Sequence, residues 1–204
     1  MAGRERVRHA FRARAEAGQP ALVIYLTHGD PDVPSSVDAL AAAAEAGADV
    51  IELGVPFSDP NADGVVIQEA MERARAAGAT LDTALSAVAE LRSRGQSVPV
   101  VLFGYYNPII ARGLGQFADD CAKAGVDAVL TVDVPMDELD ELASPLAERG
   151  VGVVPLVAPT SGEDRISAVA EFEPAFVYYV SMTGVTGGEV GQVADGAARV
   201  ELIR

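Results

Sequence analysis

Three carboxylates punctuate the stretch I-E-L-G-V-P-F-S-D-P-N-A-D-G at positions 51–64: Glu52, Asp59 and Asp63. Glu52 interrupts a run that otherwise reads as a buried strand. An ionised carboxylate taken out of water without a partner is costly. Desolvation favours its neutral form and raises its pKa towards neutrality, where a general acid or base works best. Asp59 and Asp63 follow on a loop that Gly54, Pro56, Pro60 and Gly64 constrain. One Asp beside Pro or Gly is an ordinary turn former, but two of them directly after a strand-end Glu place further acids near the first. The same three carboxylates could instead hold a metal ion. The two histidines, His9 and His28, are far apart and add little to that alternative.

The elements that must carry these groups are legible from hydrophobic pattern. Short apolar runs at 21–27, 50–53, 98–103, 128–132, 152–156 and 176–180 read as strands. They are nearly continuous in apolar character, as parallel strands buried on both faces are. Ala-rich helical segments lie between them. Ser35 or Ser36 is expected to cap a helix running to Ala46, and Thr80 one ending near Arg94. Ser144-Pro145 reads as a cap followed by Pro in the first turn, and Thr160 or Ser161 as the cap of a helix containing Glu163 and Ile166. An N-terminal amphipathic helix would turn Val7, Ala10 and Phe11 to one side. Alternating strands and helices predict βαβ units around a parallel sheet. A weak repeat, A-G-A-D-V-I-E-L at 46–53 against A-G-V-D-A-V-L-T at 124–131, sets Glu52 where the sister unit has Leu130. In such folds the loops after the strands gather on one face and carry the chemistry. Those loops here are T-H-G-D-P (27–31), G-Y-Y-N-P (104–108), D-V-P (133–135) and M-T-G-V-T-G-G (182–188).

Composition bounds the partners. The chain has 204 residues, 30 Asp and Glu against 15 Lys and Arg, and a formal charge of −15. That charge argues against nucleic acid and anionic membranes. The single cysteine, Cys121, excludes an internal disulfide and is expected to be a buried apolar residue, compatible with a reducing compartment. No stretch is long and apolar enough to suggest a membrane span, and the basic N-terminus lacks the apolar core of a secretory signal.

The segment V-I-E-L-G-V-P-F-S-D-P-N-A-D-G-V-V-I-Q closely resembles the signature of the tryptophan synthase alpha chain family. Y-L-T-H-G-D-P, Y-Y-N-P, V-D-V-P and T-G-V-T-G extend the likeness along the chain. Asn61, Val65 and Tyr25 depart from the residues usual in that family. The resemblance implies a (β/α)8 barrel that cleaves indole-3-glycerol phosphate to indole and glyceraldehyde 3-phosphate in tryptophan biosynthesis. It implies Glu52 as the main acid–base residue and Asp63 as the partner of the indole N–H. Tyr178 would assist near the glycerol chain. Tyr25, Phe103, Leu130 and Leu156 would line an apolar indole slot. Thr186 and Gly187 would lie on the loop that closes over substrate. It further implies a cytoplasmic enzyme with no cofactor or metal of its own, docked through Pro56, Asp59 and Asn107 on a beta chain that carries pyridoxal phosphate. A catalytically weak alpha-like protein that only regulates a beta chain is the alternative.

About six βα units can be counted in this sequence, as a single domain spanning residues 1–204. A full barrel takes eight units in about 250 residues. The expectation is therefore a barrel incomplete at its C-terminal side, in which the family's phosphate-binding residues have no counterparts to name.

Overall fold

A computed structural model describes residues 3–158 and 161–180. Strands β1 (Val23–Thr27), β2 (Val50–Gly54), β3 (Val100–Gly104), β4 (Ala128–Thr131) and β5 (Gly152–Val153) form one parallel sheet in chain order. Two further short strands, β6 (Leu156–Val157) and β7 (Tyr178–Tyr179), pair parallel with each other. The expected strand at 152–156 is thus split between β5 and β6. Pro155 lies at the break and has no N–H to give to a ladder. The line of bonds nevertheless continues through it: the Val154 N–H donates to Val129 O at 2.9 Å, and the Tyr178 N–H donates to Pro155 O at 3.0 Å.

Side-chain alternation divides the apolar residues into two layers. On the helix-facing side, Ile51, Leu53, Leu102 and Val129 pack against Leu40, Leu91, Phe117 and Leu146. On the inner side, Val50, Val101, Phe103, Ala128 and Leu130 cluster with Val7 and the half-buried Tyr25, Leu156, Phe176 and Tyr178. With both faces of β2–β4 buried, the strands show no apolar–polar alternation in sequence. Cys121 is buried in the outer layer, where burial pushes its thiol pKa up.

Helices α2 (Val33–Glu45), α4 (Leu81–Ser93), α6 (Leu114–Ala124) and α7 (Leu139–Ala147) cover the sheet, and α8 (Glu163–Val169) packs through Val169 against Met136 and Leu139. Two more, α3 (Val65–Ala76) and α5 (Tyr106–Arg112), lie where the sequence reading placed no helix. The Thr80 cap is present: its hydroxyl accepts from the Thr83 N–H at 3.2 Å. Three other expected caps need correction. Asp32, not Ser35 or Ser36, caps α2, accepting from the Ser35 N–H at 2.8 Å. Helix α7 begins at Leu139, ahead of Ser144-Pro145, because Leu139, Leu142, Ala143 and Leu146 form a buried stripe at helical spacing. Pro145 is accommodated in its last turns. Gly162 occupies the cap position of α8, while the Ser161 hydroxyl accepts instead from the Ala158 N–H at 3.0 Å; Thr160 lies outside the described residues.

Helix α1 (Arg4–Glu16) closes the end of the sheet opposite the strand C-termini. Val7 is fully buried in the inner cluster and Phe11 meets Phe176 at 5.0 Å between ring centroids. Beneath them lies Asp127, fully buried. It accepts from the Val100 N–H at 2.9 Å and pairs with Arg92 at 2.8 Å and Arg6 at 3.2 Å. Arg8 donates to the carbonyls of Glu173 and Pro174. Removing one member of such a network leaves buried charge uncompensated. Asp127→Ala is therefore expected to destabilise the fold by about 3–5 kcal/mol, read as a lowered urea midpoint, whereas Arg8→Ala, on the exposed rim, should cost about 1 kcal/mol.

Candidate active site

The register of β1 and β2 sets Tyr25 beside Glu52, and that of β2 and β3 sets Glu52 beside Val101. Glu52 is 5% exposed, and its Oε1 has no hydrogen-bond partner. Burial alone pushes its carboxyl from 4.5 up to about 7. Two residues further along β2 the side chain is missing. A Cβ at Gly54 would lie 2.1 Å from the Tyr25 hydroxyl, so only glycine fits there with Tyr25 in place.

The loop after β2 brings in Asp63, which is 4% exposed. The Tyr105 hydroxyl donates to Asp63 Oδ2 at 2.6 Å and accepts from the Ala62 N–H at 3.0 Å. Phe57 stacks on Tyr105, with ring centroids 4.8 Å apart. Gln68, from α3, donates to Asp63 O at 2.8 Å. Burial raises the Asp63 pKa, and the Tyr105 hydrogen bond partly offsets that rise. Tyr105 was not singled out from the sequence. G-Y-Y-N-P shows two adjacent tyrosines, and nothing in their spacing tells which one turns towards the loop.

The expected slot residues converge. Phe103 and Leu130 are buried in the inner cluster, with Tyr25, Leu156 and Tyr178 packed against them. Tyr25 meets Phe103 edge-on at 5.3 Å. Burial raises the Tyr178 pKa, and the Glu52 charge adds to that rise, which puts the phenol within electrostatic reach of the acid. Asp59 and Asn107 are exposed on the rim, while Pro56 is buried within its loop. Thr186 and Gly187 lie outside the described residues. Among the described residues no group of three or more His, Cys, Asp and Glu side chains converges as a metal site would. Asp59 points to solvent while Glu52 and Asp63 are buried, so the three-carboxylate cluster open from the sequence does not form. His28 is fully buried, its Nε2 2.9 Å from the Thr83 hydroxyl, and burial lowers its pKa to about 4. No helix among the described residues is long and apolar enough to cross a membrane.

A parallel β/α barrel with a desolvated acid at the C-terminal end of a strand, a second acid on the next loop and an apolar wall opposite defines a barrel enzyme whose site lies at the strand C-termini. The model of the family described as tryptophan synthase alpha chain matches residues 11–204. The chain belongs to that family. It is 47% identical over 199 residues to the tryptophan synthase alpha chain of Burkholderia pseudomallei, an alignment covering 98% of this chain and 73% of that one. The corresponding chain of Geobacter sulfurreducens is 48% identical over 199 residues, covering 98% and 75%. The structure superposes on tryptophan synthase subunit alpha of Legionella pneumophila with a TM-score of 0.89 at 32% identity, over 97% of this chain and 74% of that one. A Mycobacterium tuberculosis tryptophan synthase structure gives 0.89 at 35% identity, over 100% and 76%.

Two outcomes follow from these environments. The Glu52 pKa is raised on folding, so the folded state holds the proton more tightly than the unfolded chain. The contribution of Glu52 to stability is then fully present below about pH 4.5 and is lost as pH rises to about 7. Glu52→Gln, which cannot ionise, should be more stable than the parent at pH 8 by about 2–3 kcal/mol and nearly equal to it at pH 4.5, as measured by chemical denaturation. Tyr105→Phe removes a hydrogen bond to the ionised form of Asp63. The Asp63 titration midpoint, followed by NMR, should rise further.

Proposed function

We propose that this chain is the lyase that cleaves indole-3-glycerol phosphate at the bond between ring carbon C3 and the glycerol chain. The observation that carries the reading is Glu52: a buried carboxyl without a hydrogen-bond partner, with a pKa of about 7, facing an apolar wall. The reaction is a retro-aldol cleavage. One proton must enter at C3, and one must leave the hydroxyl next to the breaking bond. Glu52 supplies the first from its protonated form, well populated near its pKa of about 7, and the carboxylate it becomes takes up the second. The bond electrons return to the ring and release indole, while the carbinol becomes the aldehyde. Protonation at C3 makes the ring an indolenine cation, with its positive charge centred on the N–H. Asp63, held by Tyr105, would accept a hydrogen bond from that N–H and stabilise the charge. Tyr25, Phe103, Leu130 and Leu156 would hold the ring, with Tyr178 beside the glycerol chain.

The chain brings no cofactor to this step. Its partner is a tryptophan synthase beta chain, whose pyridoxal phosphate would use the released indole. Asp59 and Asn107, both exposed, would contact it.

Loss of one positioned acid–base group typically costs about 10²–10⁴-fold. Glu52→Gln should lose that much indole release while keeping its fold. The parent's kcat/KM should fall above about pH 7 as Glu52 loses its proton. A mutant within a few-fold of the parent would remove Glu52 from the chemistry. Asp63→Asn can still accept a hydrogen bond but lacks the charge, so its defect should appear mainly in kcat. A change confined to KM would make Asp63 a contact equally strong in ground and transition states.

A further inference from the structure

The Tyr25 hydroxyl is a polar group set into an otherwise apolar wall. Its ring leaves β1 on the inner side, stands edge-on to Phe103 at 5.3 Å, and reaches along the sheet until the hydroxyl rests against Gly54. The space is specific: a Cβ at 54 would come within 2.1 Å of the oxygen and 2.6 Å of Cζ, so β2 leaves out a side chain where the phenol arrives. The hydroxyl's hydrogen-bond partner is Thr27 Oγ1, at 3.4 Å. That bond is long, and a phenol can both donate and accept. One hydrogen-bonding position is therefore left for something that enters the slot. Burial and the nearby carboxyls of Asp63 and Glu52 push the phenol up to about 12, so it keeps its proton and can donate at any working pH.

Three other features carry less. His28 is enclosed and already bonded to Thr83. Cys121 is buried among outer-layer side chains. Asp127 is paired with Arg92 and Arg6 at the far end of the barrel.

We propose that the Tyr25 hydroxyl, held by Gly54 and Thr27, is a specificity-determining donor that lets the slot accept indole rings carrying a hydroxyl group. This rests on the assignment of the slot to indole made above. The physical basis is differential. A buried donor left without an acceptor disfavours a plain or alkylated ring, whereas a ring hydroxyl satisfies it. Removing the phenol oxygen reverses the preference, because a ring hydroxyl would then face an apolar wall.

The test uses the protein with its beta chain and runs the cleavage in reverse, condensing glyceraldehyde 3-phosphate with indole, the four benzo-ring hydroxyindoles and the matching methylindoles. The parent and Tyr25→Phe are compared by kcat/KM, with thermal unfolding as a check on the fold. For at least one hydroxyindole isomer, the ratio to indole should fall about tenfold in Tyr25→Phe. The ratio for the methyl isomer at that position should rise or stay level. Ratios unchanged within twofold at every position would overturn the proposal. So would an equal loss for all rings, which would place the hydroxyl on the glycerol chain or in a purely structural role. A parent that does not condense even plain indole would instead overturn the assignment of the slot.

Discussion

The inner and outer faces of β1–β4 are fixed by one register, and the site exists because of it. Tyr25 stands beside Glu52, Glu52 beside Val101, and Phe103 beside Leu130. In a parallel sheet buried on both faces, a slip of one residue exchanges the two layers completely. Glu52 would then press its carboxyl into the packing around Leu40 and Leu91, and Leu53 would take its place inside. The charged residue and the missing side chain at Gly54 make that register consequential for chemistry. The large outer residues Ile51 and Leu53, fitted to the helices, hold it there.

The two buried acids are given different surroundings. Glu52 meets apolar neighbours and has no hydrogen bond at Oε1, whereas Asp63 sits on a braced loop and receives the short Tyr105 bond. Burial raises the pKa of both, and only at Asp63 does a hydrogen bond to the anion offset part of that rise. Unequal surroundings of this kind divide acid and electrostatic roles between two carboxyls. Tyr105 achieves this from a distance in sequence. Its hydroxyl binds both the Asp63 carboxylate and the Ala62 N–H, and its ring is stacked by Phe57. The braced loop thus depends on the end of β3 as much as on its own Pro and Gly residues.

Much of this was readable in the sequence for identifiable reasons. The buried strands announced themselves as continuous apolar runs, and Glu52 stood out because it broke one of them. The slot residues Phe103 and Leu130 came from a resemblance, not from pattern, since the inner and outer residues of these strands are equally apolar. Local polar signals misled where longer-range packing prevailed. Ser35 and Ser36 looked like caps, but Asp32 starts α2, and the Ser36 hydroxyl instead accepts from the Gly29 N–H at 2.6 Å. Ser144-Pro145 looked like a helix start, yet the stripe at Leu139, Leu142, Ala143 and Leu146 carries α7 through it. Helix α3 carries Ile67, Ala70, Met71 and Ala74 at helical spacing, but its N-cap Gly64 offers no side-chain cap to mark its start in the sequence. Tyr105 was invisible, since a contact across 42 positions leaves no trace in local spacing.

The way α1 closes the barrel has a consequence for how the chain is made. Its arginines bond to groups 121 positions away at Asp127 and 165–169 positions away at Glu173. A ribosome adds roughly 5–20 residues per second. The helix therefore emerges on the order of ten to thirty seconds before its last partners. Until then Phe11 has no Phe176 to meet, and Arg4 and Arg8 have only their neighbour Glu5 to pair with. The four strands β1–β4 can pair with one another as they appear, each with its predecessor, while the first helix waits. Its docking is then a late, sealing event of synthesis, and the nascent chain carries an unsheltered apolar stripe during the period when chaperones have access to it.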